Sequence, residues 1–155
     1  MHRRKPSTDE VALDDDTGSA ALEFILAGLV LLVPIVYLIV AMGQIQSHAL
    51  GVETAARQLA RVIATSNDQS DADAAARTVL TSVAVEYGID PDDIELTVDC
   101  APAAVPCPAS GSIVRVSVEA RAPLPLVPEV LGMSDRASVA VAATSSQKVS
   151  RSWTG

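Results

Sequence analysis

The sequence predicts an α+β fold: a long N-terminal transmembrane helix continuing into an amphipathic helix, then a second helix and a small three-stranded antiparallel sheet. Three observations carry this. Phe24 to Gly43 are 20 consecutive residues without a charged side chain, and at about 1.5 Å rise per residue such a helix crosses the roughly 30 Å of a bilayer's hydrocarbon core. Apolar residues then recur at spacings of three and four, through Val52, Ala55, Ala56, Leu59, Val62 and Ile63, and again through Ala76, Val79, Leu80 and Val83. Beyond Gly88 the period changes to two, in Ile94 to Cys100, Ser112 to Ala120 and, more weakly, Ala137 to Thr144.

Taken in order, residues 1 to 17 are a solvated leader with a basic tip, Arg3-Arg4-Lys5, followed by the acids Asp9, Glu10, Asp14, Asp15 and Asp16. Orientation in a membrane follows Lys and Arg, so the tip predicts a cytoplasmic N-terminus and an extracytoplasmic C-terminal domain; Arg57 and Arg61 on the far side are a weak counterweight. Pro34 removes one donor inside the span and predicts a gentle kink, which membrane helices tolerate. Ala41-Met42-Gly43 is a small-x-small tripeptide, so a secreted protein cut near Gly43 is an alternative. Against it, the apolar run exceeds the ~7–15 residues of a signal-peptide core.

The helix is expected to continue to about Thr65, with Glu53 four residues before Arg57 in the stabilising order and Gly51 as a weak point, until Ser66-Asn67-Asp68 ends it. Asp71 is the expected cap of a second helix from Ala72 to Tyr87, closed by Gly88. Asp90-Pro91-Asp92-Asp93 reads as a solvated turn, because it lacks the spacing, glycine and distal Glu of a calcium loop. The alternating strands that follow have one apolar face, which the helices are expected to cover. Cys100 and Cys107 flank a Pro-rich loop between the first two strands and read as a disulfide if that part lies outside the cell. A redox pair would favour CxxC, and zinc would need two more ligands. Pro123 to Pro128 is expected to run extended over the domain, or to offer its leucines as a docking edge. From Ser145 onward the polar composition predicts a flexible tail, in which Trp153 alone can fold back or bind. The expected divisions are therefore 1–18, 19–43, 44–66, 67–145 and 146–155.

Composition excludes several functions. A net charge of −8, from 11 basic and 19 acidic residues, argues against a nucleic-acid surface. His2 lies in the leader and His48 reads as a surface residue of the first helix, so the sheet domain has no His to activate a nucleophile. With no Gly-rich phosphate loop and no HExxH motif, the expectation is no catalytic residue, no cofactor, no metal and no small-molecule substrate.

Glu23 is the irregular feature, a carboxylate at the start of the apolar run. A charge at the membrane edge costs much less than one at its centre, so a headgroup-level residue is the simple explanation. Its surroundings are more specific: a charged leader, Gly18, then Ser19-Ala20-Ala21-Leu22, then Glu23-Phe24 and the apolar run. This arrangement resembles the processing site of type IV prepilins, and the Glu-Phe pair resembles the tight-adherence (Flp) branch. The order of the remaining elements is similar to the TadE-like family, minor pilins or pseudopilins of that apparatus, most specifically over residues 18 to 64.

The resemblance implies a pilin-like fold, cleavage after Gly18 by a membrane prepilin peptidase, and release of the Ser19 amine. It implies that Glu23 pairs with that amine in its own chain or a neighbour, Phe24 following it, so that two charges costly in lipid satisfy one another. The implied partners are the membrane, the prepilin peptidase, other pilins and inner-membrane pilus assembly proteins. Asp14-Asp15-Asp16 departs from the pattern, since basic residues are common there in prepilin leaders. The alternative is an uncleaved, signal-anchored extracytoplasmic binding module.

Overall fold

A computed structural model describes residues 17–103, 107–125 and 137–154, with only the backbone described for residues 17–19. The leader before Thr17, and most of the Pro-Leu-Pro segment expected to run extended, lie outside the described residues. The chain divides into two compact units, Met1–Tyr37 and Leu38–Gly155.

In the first unit the described residues belong to helix α1, Thr17–Thr65, which runs unbroken through Pro34. Its side chains face outward: Phe24 is 80% exposed, and Leu22, Ile25, Leu26, Val30 and Leu31 are exposed too. None of the described residues of this unit covers an apolar core.

The second unit contains the rest of α1, helix α2 (Gln69–Tyr87), a 3₁₀ turn at Pro91–Asp93, and the strands β1 (Ile94–Ala101), β2 (Ile113–Pro123) and β3 (Ser138–Lys148). The strands form one antiparallel sheet in the order β1-β2-β3. Its register aligns the apolar set of each strand: Leu96 opposes Val118, which opposes Ala143, and Val98 opposes Val116. The inward residues of β2, Val114, Val116, Val118, Ala120 and Ala122, are buried, and the first four form a single core with Val52, Ala55, Ala56, Leu59, Ala60 and Ile63 of α1. The strand alternation therefore reflects a sheet with one covered face and one wet face.

Several local expectations are corrected. α2 begins one turn earlier than expected, because Asp68 and not Asp71 is its cap: the Asp71 N–H donates to Asp68 Oδ1 at 2.9 Å. Gly88 closes it as expected, with φ +65°, a conformation suited to glycine. Gly51 is a point of close approach, since a Cβ there would lie 2.9 Å from both Tyr87 Cγ and Ile89 Cδ1. The second strand runs three residues further, ending on Pro123, whose missing donor costs nothing at a strand's last position.

The expected flexible tail is also corrected. Ser145 to Lys148 complete β3, and beyond them Val149 and Trp153 are buried. Their backbone ties them down: Ser150 N–H donates to Ala64 O at 2.8 Å and Thr154 N–H to Asn67 O at 2.9 Å. The first of these bonds occupies a carbonyl that the end of α1 would otherwise leave unpaired.

Candidate functional site

Gly18, Ser19, Glu23 and Phe24 all lie on α1 in helical geometry. Ser19 and Glu23 are four residues apart, so they sit on one face about one turn, roughly 6 Å, from each other along the axis. Glu23 is exposed and has no ion-pair partner among the described residues. The described side chains around it, from Ala20 to Phe24 and beyond, are exposed and apolar. Only 6% of the most apolar stretch of this helix is buried, unlike a helix in the core of a folded domain, and the helix is long and apolar enough to cross a membrane. A lone carboxylate on such a surface calls for a cation beside it or for a place at the headgroup level.

In the second unit, Cys100 and Cys107 form a disulfide with their Cα atoms 5.7 Å apart. It closes the loop that leaves β1 at the end of the sheet where Ala101 opposes Ile113 and Ile113 opposes Lys148.

At the opposite end of the sheet an open groove of about 920 Å³ is lined by His48, Asp90, Asp92, Asp93, Glu95 and Arg121, among others. The expectation of a surface His48 is corrected here: the residue is 7% exposed. His48 precedes Val52, Ala55 and Leu59 by four, seven and eleven residues, which places it on the buried face of α1. That spacing was the available signal. Its Nδ1 lies 3.0 Å from the Gln44 carbonyl oxygen, to which a protonated Nδ1 donates, and Nε2 is left as the ring's remaining polar atom.

The turn Asp90-Pro91-Asp92-Asp93 is solvated as expected, with Asp92 N–H donating to Asp90 Oδ1 at 3.0 Å. The fold adds what the turn alone did not reveal, by bringing Glu95, Arg121 and His48 beside it. No group of three or more ligating side chains among the described residues is placed to hold a metal ion. Among the described residues that line it are four carboxylates and one guanidinium, so this lining is acidic and disfavours a phosphate.

No family model, curated protein or solved structure matches this chain.

Proposed function

We propose that this protein is a membrane-anchored minor pilin or pseudopilin that acts in assembly of a tight-adherence (Flp-type) pilus or a related secretion apparatus. It enters the membrane with residues 1–18 as a cytoplasmic leader, is cut after Gly18 by a prepilin peptidase, and packs its helix among other pilins. The observation that carries the proposal is Glu23: a single exposed carboxylate, one turn from Ser19, on a helix whose surrounding side chains are exposed and apolar. Cleavage after Gly18 creates an α-amine on the same helix face, and pairing removes two isolated charges from lipid at once.

The remainder of the chain fits an assembly role. The second unit is a small disulfide-closed α+β domain, and its core includes the amphipathic half of α1. The basic tip Arg3-Arg4-Lys5 and the disulfide agree in direction, because Lys and Arg stay on the cytoplasmic side and disulfides persist on the oxidising side.

The proposal is tested by co-expression with a prepilin peptidase of the tight-adherence type. Wild-type chain should shift to a smaller mass, and Gly18→Leu, which blocks close approach of a protease to the backbone, should abolish the shift while leaving membrane insertion intact. A wild-type chain that keeps its full mass beside an active peptidase contradicts it.

A further inference from the structure

The sheet ends on two edge strands, β1 and β3, and among the described residues neither pairs with a further strand. Every second residue of such a strand turns its N–H and C=O away from its neighbour, and those groups are a template for one more strand. At β1 the side chains beside this edge are also uncovered. Val116 and Val118 of β2 are 0% and 1% exposed, whereas Val98 and Leu96, which oppose them on the same face, are 37% and 36% exposed. The helices therefore close over the middle of the sheet and leave two apolar side chains of β1 open at its margin. An edge guarded against pairing commonly turns a charge toward the core side. The core-side residues of β1 are instead Ile94, Leu96, Val98 and Cys100.

The outer face of the same strand determines what a guest must carry. Glu95 lies directly opposite Glu119 of β2, a like-charge pair that lowers stability, and neither has an ion-pair partner among the described residues. Asp99, two positions beyond Thr97 on that face, opposes Arg115 without forming an ion pair. We propose that the free edge of β1 binds an extended segment of another protein by strand addition, and that this segment carries the pattern basic, apolar, polar, apolar, basic. Its two apolar residues lie beside Leu96 and Val98 and its two cations beside Glu95 and Asp99, because residues opposite each other in a sheet share a face. The pattern reads the same in both directions, so it holds for a parallel or an antiparallel guest. A second copy of β1 is disfavoured, since pairing the strand with itself sets Glu95 and Asp99 against the same two acids. β3 is longer, but its only charged residue is Lys148 at its far end, so nothing along it selects a guest by charge.

The strand is held ready at both ends. Before it, the Asp92 N–H donates to Asp90 Oδ1 and the Asp93 N–H to the Asp90 carbonyl, each at 3.0 Å, which fixes the 3₁₀ turn that leads into Ile94. After it, the disulfide ties Cys100 to Cys107. An edge already fixed in its extended form spares the complex part of the ordering that strand addition otherwise costs. The contact lies within the second unit and goes beyond the assembly role proposed above, and it does not depend on cleavage after Gly18.

The test mixes the full chain in detergent with the end-blocked peptide Thr-Lys-Val-Thr-Val-Lys-Thr and follows amide hydrogen exchange and binding calorimetry. Alternate amides between Glu95 and Asp99 should exchange at least tenfold more slowly in excess peptide, while amides of β3 stay unchanged. A peptide with Glu in place of both Lys should bind the wild type at least tenfold more weakly. Glu95→Lys combined with Asp99→Lys, at two exposed positions, should reverse that preference, and its uptake of the Glu peptide shows that the variant keeps its fold. The wild type's choice between the two peptides decides independently of the variant, and equal affinity for both overturns the proposal. Unchanged exchange along β1, or slowed exchange along β3 in its place, also overturns it. Slowed exchange along β1 that appears with rising protein concentration and no peptide makes a second copy the occupant and overturns it too.

Discussion

The N–H of Ser150 donates to the carbonyl of Ala64 at 2.8 Å, so the end of α1 is closed by the chain that follows β3, 86 residues further on. Trp153 is buried behind this clasp, and its indole N–H is buried without a partner. Trp153→Ala should therefore lower the stability of the second unit by about 3 kcal/mol, the range for removing a buried aromatic side chain. Arg151→Ala, at an exposed neighbour, should change it by less than about 0.5 kcal/mol. Denaturant midpoints of the full chain in detergent separate the two.

Gly51 supplies a second check. Ala is worth up to about 1 kcal/mol more than Gly inside a helix, so propensity alone predicts that Gly51→Ala stabilises. The new Cβ would meet Tyr87 Cβ at 3.0 Å and Tyr87 Cγ at 2.9 Å, atoms close to the α2 backbone that cannot simply rotate away. Overpacking of this kind costs about 1–3 kcal/mol, so the thermal midpoint should fall. Gly43→Ala, where nothing lies within 4 Å of the added carbon, should not lower it.

These two sites show what was legible in the sequence and what was not. The elements themselves were, because a helix packed on a sheet writes its face into the spacing of Val52, Ala55, Leu59 and Ile63, and a half-covered strand into Val114, Val116 and Val118. Contacts between distant segments were not. Nothing local to Gly51 indicates that Tyr87 and Ile89 press on it, and nothing local to Ser150 indicates that Ala64 needs a donor. Composition misled at the tail, where two apolar residues, Val149 and Trp153, and a few main-chain bonds outweigh polar neighbours. At the candidate site, Glu23 stood out because a charge in an apolar run is rare, whereas the groove around His48 exists only once β1 and β2 are paired.

Removing the disulfide by Cys100→Ser with Cys107→Ser should cost about 2 kcal/mol, the chain-entropy value for so short a loop. The fold should survive, since neither sulfur fills the centre of the core. In intact cells the wild type should show no thiol reactive to alkylation after denaturation, as expected of a domain in an oxidising compartment. Quantitative labelling of both cysteines would place the domain on the cytoplasmic side.

Glu23→Ala should leave insertion and cleavage intact but reduce recovery of the chain with co-expressed pilins at least tenfold. Glu23→Gln should do nearly the same, because the amide keeps the shape and loses the charge that pairs with an amine. Affinity recovery of the membrane complex, compared at equal chain abundance, measures this. Undiminished recovery of both variants would leave Glu23 as a headgroup-level residue.

The identity of the first residue of the mature chain tests the central claim most directly. Edman sequencing or intact mass, on protein purified from membranes that also contain a tight-adherence prepilin peptidase, should find Ser19. A chain that begins at Met1 or at Gln44 under those conditions contradicts the account.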